Sequence, residues 1–383
     1  APTPYPGSKP LPPKVPSPPI MPHLAEPRTA LASLFLEDGT IYHGEPFGAR
    51  KSAAGEVVFS TGMVGYPEAM TDPSFYGQIL VFTFPLIGNY GIPDENAANG
   101  ILEHFESSRI QTAGIIVSEY SREHSHWEAI RSLSQWMESQ GIPGLMGVDT
   151  RALTKRLREK GSMLGKIEFA GQPVEFTDPN SQRLVEVVSH TEPRIYGTGT
   201  KRVLLLDLGC KESIISNTVA RGVEVKRVPW NHDLSQEEYD GLLVSSGPGD
   251  PKICNTTIHQ IRTALRRGKP FMGICLGHQL LALAIGADTF KLKYGHRSQN
   301  QPVRNTIDGR CYVTSQNHGY AVDTQTLPEG WISWFENLND GTNEGLRHVS
   351  KPFFSVQFHP EAAPGPVDTQ HLFDDFIELV KRG

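Results

Sequence analysis

The stretch Phe271-Met272-Gly273-Ile274-Cys275-Leu276-Gly277-His278-Gln279 constrains the fold more than any other part of this chain. A short apolar run leads into a single cysteine, with a glycine two residues before it and another two residues after. A helix-like apolar stretch, residues 280–284, follows. This order describes a strand that turns sharply into a helix and holds one side chain at the turn. Small neighbours are needed there because the nucleophile's backbone is strained and adjacent strands crowd it. A helix N-terminus behind the sulfur favours the thiolate, the reactive form of cysteine. Taken alone, these residues also fit a buried structural cysteine in a glycine-rich turn.

The surrounding pattern selects the fold class. Apolar runs at 202–207, 223–228, 241–245 and 270–274 read as buried strands, and 213–220, 258–266 and 279–285 read as helices. Strands alternating with helices predict an α/β domain, a doubly wound, mixed or parallel sheet over residues 201–383. Binding sites in such sheets lie at the carboxyl ends of the strands. Cys275 sits at one such end, and Gly247-Pro248-Gly249-Asp250-Pro251 sits at another. Residues 30–175 read as a separate β-rich domain. Its strands are expected at 31–36, 55–59 and 78–83, and its helices at 127–138 and at 150–160, the latter behind the cap candidates Asp149-Thr150. Residues 176–200 are polar, contain Pro179, Pro193, Gly197 and Gly199, and read as an interdomain connection. Residues 1–29 form a proline-rich tail or linker, unsuited to a helix or a central strand.

Bulk properties exclude several function classes. A chain of 383 residues suggests two or three domains. The formal charge is −6 with no basic block, which argues against a nucleic-acid partner. No apolar run approaches the roughly 20 residues needed to cross a membrane. The four cysteines, Cys210, Cys254, Cys275 and Cys311, are widely scattered. That spacing argues against a disulfide framework and a clustered zinc site, and favours a reducing compartment.

A cysteine nucleophile needs a base, and the base needs an orienting group. Among the 14 histidines, His359 fits best. It ends the alternating strand Phe353-Phe354-Ser355-Val356-Gln357-Phe358, Pro360 stops that strand, and Glu361 can hold the other ring nitrogen. Thiolate attack on an acyl carbon passes through a tetrahedral oxyanion that requires preorganised backbone donors. The amide of Leu276 is one donor. The Gly247-Pro248-Gly249 loop can supply a second, since its glycines allow close approach to a ligand.

These three segments, at Gly273–Gln279 in the chain, at Ser246-Gly247-Pro248-Gly249-Asp250-Pro251 and at His359-Pro360-Glu361, resemble the class I (triad) glutamine amidotransferases in order and spacing. The N-terminal half is similar to the glutaminase small subunit of carbamoyl phosphate synthetase. The likeness rests on Glu56-Val57-Val58-Phe59-Ser60-Thr61-Gly62-Met63-Val64-Gly65-Tyr66-Pro67-Glu68, Thr71-Asp72-Pro73-Ser74, Pro85-Leu86-Ile87-Gly88-Asn89-Tyr90-Gly91, Gly147-Val148-Asp149-Thr150-Arg151 and Ser315-Gln316-Asn317-His318-Gly319-Tyr320. The resemblance implies that Cys275 is the nucleophile, His359 the general base and acid, and Glu361 its partner. It implies oxyanion amides from Leu276 and Gly247, and a glutamine pocket formed by Ser74, Gly249, Gln279, Asn317, Gly319 and Tyr320, with His318 in a supporting role. The segment Asp207-Leu208-Gly209-Cys210-Lys211-Glu212-Ser213 follows the family's Asp-x-Gly-x-Lys pattern but has Ser213 where Asn often stands.

The implied activity is hydrolysis of glutamine to glutamate and ammonia. The ammonia passes to an ATP- and bicarbonate-consuming synthetase subunit or fused domain, which serves pyrimidine or arginine and urea synthesis. No cofactor or metal is expected in this chain, and ATP and Mg2+ are expected on the synthetase partner, because no phosphate-binding glycine loop is present. The expected compartment is the cytoplasm, with the mitochondrial matrix as the alternative. The competing readings are a structural or regulatory partner with an idle glutaminase site, and another cysteine hydrolase on a related frame.

Overall fold

The computed structural model describes residues 32–383. The proline-rich tail expected at 1–29 lies outside the described residues.

The N-terminal region closes on itself. Seven strands form a barrel in the order Ala32–Leu36, Met163–Glu168, Ala53–Ser60, Gln78–Phe82, Gly114–Ile116, Pro143–Met146 and Ile41–Gly48, returning to the first. Alternation along each strand sends side chains to two cores. Val57, Ile79, Val81 and Ile116 pack with Leu153 and Leu157 of the helix Thr150–Lys160. Their neighbours Val58, Leu80 and Ile115 pack instead with Leu133, Trp136 and Met137. The Asp149 side chain accepts from the Ala152 amide at 2.9 Å and starts the first of these helices, as expected.

The expected helix at 127–138 forms only in its second half. Ala129–Arg131 is extended and pairs with Ile92–Pro93. The helix begins at Leu133, where Ser132 and Gln135 make a reciprocal capping box, and runs to Ser139. Trp127, read as part of a helical stripe, is 85% exposed. Strand pairing and a strong cap outweighed the helical spacing of the apolar residues.

The C-terminal region is built on a ten-stranded mixed sheet. Its parallel half runs Glu224–Pro229, Arg202–Asp207, Gly241–Val244, Phe271–Ile274, Phe353–Val356. Helices cover both faces of it. Leu204, Leu206 and Val244 face the helices Asn255–Leu265 and Leu276–Ile285. Val203, Leu205 and Leu243 face Glu212–Val219 and His371–Arg382. The sheet then continues antiparallel through Asn343–His348, Trp331–Asn337, Asp288–Asn305 and Cys311–Asp323. This extension was not anticipated by the helix–strand alternation. The connection at 176–200 is not featureless either. Val185 is fully buried in a short helix, and Arg194–Tyr196 joins the sheet as an antiparallel edge strand.

Candidate active site

The elbow forms because three glycines let backbones meet. A side chain at Gly273 would lie 2.7 Å from the Gly277 carbonyl oxygen, and one at Gly277 would lie 2.3 Å from the Val244 carbonyl oxygen. A side chain at Gly247 would lie 2.1 Å from the Leu208 carbonyl oxygen. Cys275 itself takes φ 52° and ψ −102°, an uncommon conformation for a residue with a side chain. Its amide donates to the Val356 carbonyl at 2.9 Å, which ties the turn to the neighbouring strand that leads to His359. Cys275 caps the helix Leu276–Ile285, so the amide of Leu276 is a first-turn donor with no intrahelical acceptor. The thiol is 2% exposed.

His359 and Glu361 lie at the end of the adjacent strand, both buried. His359 Nδ1 and Glu361 Oε1 are 2.6 Å apart, which fixes the ring. The His359 amide donates to the Ser315 carbonyl at 2.9 Å. Burial acts to lower the His359 pKa, but the Glu361 charge, with Cys275 and the Glu361 bond assisting, wins and lifts it to about 10. Glu361 moves the other way. Burial acts to raise its pKa, while Lys211 and His359 hold it down to about 2. The thiol influences the ring, yet the two are not in hydrogen-bond contact. His359 Nε2 has no hydrogen-bond partner, and Cys275 Sγ instead lies 3.6 Å from the Asn317 carbonyl. Such contacts tighten when substrate arrives.

Lys211 stands behind the His359–Glu361 pair, a position that the reading of individual residues did not assign. Its buried Nζ lies 3.1 Å from Glu361 Oε1 and donates to the Ala362 carbonyl at 2.7 Å. The Asp-x-Gly-x-Lys pattern was the available signal. Behind it stands Glu106 of the N-terminal region, fully buried. Burial raises the Glu106 carboxyl to about 7, against the pull of Lys211 and the Ser213 hydrogen bonds. Glu106 Oε2 accepts from the Ser213 amide at 3.1 Å and from its hydroxyl at 2.7 Å. The departure at Ser213 therefore keeps a polar side chain with a defined partner.

The cleft beside Cys275 gathers Ser74, Gly247, Gly249, Gln279, Asn317, Gly319 and Tyr320 with His318. Leu276, next to Cys275 in the chain, is not among the residues that line it. Gln279 Nε2 donates to the Tyr320 carbonyl at 3.0 Å and to Gln357 Oε1 at 3.1 Å, so both recorded bonds use the amide nitrogen. The buried Ser74 hydroxyl has no partner. Asp72 joins the two regions here. It accepts from the Ser74 amide at 2.9 Å and from Asn317 Nδ2 at 3.0 Å. Glu56 and Lys291, paired at 2.8 Å, close another wall with Arg297. Lys291 and Arg297 carry no motif that singles them out, and Asp72 and Glu56 lie within N-terminal segments that carry the resemblance but were given no role there; only the packing of the two regions brings these four together. A larger open groove between Trp334, Arg347, Phe353 and Arg382 lies at the start of the strand that leads to His359, away from Cys275.

Two family models match this chain: "Carbamoyl-phosphate synthase small chain, CPSase domain" over residues 34–167, and "Glutamine amidotransferase class-I" over residues 204–379. The chain carries a carbamoyl-phosphate synthase small-chain domain followed by a class I glutamine amidotransferase domain. Among its relatives is a mitochondrial carbamoyl-phosphate synthase (ammonia) of Aquarana catesbeiana, 51% identical over 358 residues, covering 92% of this chain and 24% of the relative. The multifunctional protein URA2 of Saccharomyces cerevisiae is 48% identical over 403 residues, covering 96% of this chain and 18% of the relative. The chain thus spans about a quarter or less of the length of these relatives. A solved structure of a glutamine amidotransferase from Thermotoga maritima matches 48% of this chain and 86% of its own, at 21% identity and a TM-score of 0.37.

Proposed function

We propose that this chain is the glutaminase of a carbamoyl-phosphate-forming assembly. It hydrolyses L-glutamine to glutamate and ammonia through a thioester on Cys275. The observation that carries the reading is a strained, buried cysteine at a helix N-terminus, at the end of the strand paired with the one that leads to a buried His359–Glu361 pair. His359 takes the thiol proton, and the sulfur attacks the side-chain carboxamide carbon of glutamine. The carbonyl oxygen gathers negative charge, and the Leu276 and Gly247 amides stabilise it. As the tetrahedral species collapses, the imidazolium returns its proton to the leaving nitrogen, and ammonia departs. Water, deprotonated by His359, then cleaves the thioester to glutamate and restores the thiol. Glu361 keeps Nδ1 protonated, so the proton exchanged with sulfur, leaving nitrogen and water is the one on Nε2, and Lys211 keeps Glu361 charged. Ser74, Gly249, Gln279, Asn317, Gly319 and Tyr320 hold the charged end of glutamine, which must exchange water for hydrogen bonds.

The ammonia is consumed by a synthetase subunit or fused domain that uses ATP, Mg2+ and bicarbonate, in pyrimidine or arginine and urea synthesis. Among the described residues no helix is long and apolar enough to cross a membrane. The proposed compartment is the cytoplasm, with the mitochondrial matrix as the alternative. A second reading, an idle glutaminase site in a structural or regulatory partner, is favoured by relatives named for ammonia. The presence of both Cys275 and Gln279 supports the active one. Glutamate release by the purified chain, alone and with a synthetase, decides between them. The active reading expects turnover well above a Cys275→Ala control. Release no higher than that control in both preparations leaves the idle-site reading.

A further inference from the structure

Beside the glutamine cleft, and distinct from the cysteine triad, His296, His318 and Glu344 converge in the buried interior of the antiparallel extension, with their ligand-capable atoms all within 4.8 Å of one another. His318 commits its one ring hydrogen elsewhere; burial acts to lower the His296 pKa, but Asp340 and Glu344 raise it to about 9, and Asn337 Nδ2 stands 3.4 Å from its Nδ1. His318 Nδ1 lies 2.8 Å from the Tyr320 carbonyl, which can only accept, so that nitrogen carries the hydrogen. His296 Nε2 lies 2.7 Å from Asp340 Oδ2 and donates to it. The remaining nitrogens, His296 Nδ1 and His318 Nε2, stand 3.4 Å and 3.8 Å from the same atom, Glu344 Oε1. His318 Nε2 also faces Gln316 Oε1 at 3.2 Å. That amide cannot profitably be turned over. Its nitrogen donates to Thr314 Oγ1 at 3.1 Å, and Thr314 gives its own hydrogen to the Gln301 carbonyl at 2.9 Å. Glu344 is completely buried, accepts one hydrogen bond, from Asn337 Nδ2 at 3.0 Å, and leaves Oε2 without a partner.

Around the buried carboxylate the lone pairs of His318 Nε2 and Gln316 Oε1 face each other, and the cluster's positive charge is a proton on His296 that a bound metal ion would replace. The spacing suits one. Zinc–ligand bonds of about 2.0–2.2 Å in a tetrahedron place neighbouring ligand atoms about 3.4 Å apart. The outward contacts, Asp340 on His296 and the Tyr320 carbonyl on His318, are the partners that metal-bound imidazoles take to fix tautomer and orientation. We propose that His296 Nδ1, His318 Nε2 and Glu344 Oε1 bind a divalent transition-metal ion of the zinc class. Gln316 Oε1, 3.2 Å from His318 Nε2, stands on the His318 side of this group. Since His318 lies between Asn317 and Gly319, the ion pins the cleft wall from behind and takes no part in thioester chemistry.

The four cysteines gave no sign of this site, because two histidines and a glutamate from three separate strands build it. The test uses the full chain as Cys275→Ala, which removes the thiolate as a competing ligand. After chelator treatment, Zn2+ alone is titrated calorimetrically, and Co2+ is added as a spectroscopic probe. One equivalent of Zn2+ and the visible absorption of tetrahedral Co2+ are expected. His296→Ala and Glu344→Gln should each weaken Zn2+ binding at least 100-fold. Asp340→Asn lies at the partly exposed edge, leaves the core intact and should weaken it about 10–100-fold. Failure to bind one equivalent overturns the proposal. So does an affinity unchanged in Glu344→Gln and His296→Ala or, should those fail to fold, in Asp340→Asn. The readout is metal content, so its outcome is independent of whether the chain hydrolyses glutamine.

Discussion

Four thiols of identical chemistry have been given four environments. Burial raises Cys210 well above the ordinary thiol range and Cys254 to about 12, which leaves both protonated and inert. Cys311 is exposed, away from the cleft. Cys275 alone combines a helix N-terminus with a neighbouring imidazole. A glutamine-like electrophile should therefore alkylate Cys275 far faster than the other three, with glutamine protecting it. Peptide mapping that found equal labelling would remove the case for a tuned nucleophile. The partner of the base is equally specific. Glu361→Gln removes the charge that holds His359 high, so the imidazole should titrate nearer its ordinary value of 6.5 and kcat should fall about 10²–10⁴-fold. A kcat within threefold of the parent would show that Glu361 only fills space.

At the scale of elements, the decisive device is the close passage of the elbow past two other backbones. Gly277 occupies a helix, where alanine would ordinarily gain about 1 kcal/mol. Here the added methyl lies 2.3 Å from a strand carbonyl that cannot yield. The clash exceeds the propensity gain, and Gly277→Ala should destabilise by about 1–3 kcal/mol, read from the urea midpoint. An unchanged midpoint would mean that the helix shifts freely. The elbow, its flanking helices and the parallel strands were legible in the residues, because each carries a local signal: period, glycine placement or cap. The helix at 127–138 was misread because its apolar spacing fits a helix while its first half pairs with Ile92–Pro93. The long antiparallel strands Asp288–Asn305 and Cys311–Asp323 were missed because their burial alternates irregularly and their register shifts.

For the whole molecule, the two regions meet beside the Cys275 cleft and behind Lys211. Asp72 and Glu106, both from the N-terminal region, hold Asn317 and Ser213 of the C-terminal one. This junction gives stability a definite pH dependence. Glu106, raised to about 7, keeps in the folded state a proton that the unfolded chain loses above its ordinary 4.5, so stability falls as pH rises through that interval. His359, raised to about 10, contributes stability that is complete below about 6.5 and is lost as pH rises towards 10. Both effects weaken the fold on the alkaline side. Glu106→Gln should flatten the slope between pH 4.5 and 7 and leave the higher interval unchanged, as measured by denaturant unfolding across pH. The same slope in the variant would assign the titration to other groups.

The Cys275 elbow, the glycine loop and the alternation that builds a parallel sheet were all specified by the order of residues, because short-range rules of sterics and periodicity govern each of them. Long-range packing settled the rest: how Lys211 and Glu106 stand behind Glu361, how Asp72 braces Asn317, and how His296, His318 and Glu344 come together. These groups lie far apart in the chain, and the segments that hold Lys211, Asp72, Asn317 and His318 do not by themselves say which of them meet. They meet because burying a charge demands a partner, and the partner comes from whichever segment the fold brings near.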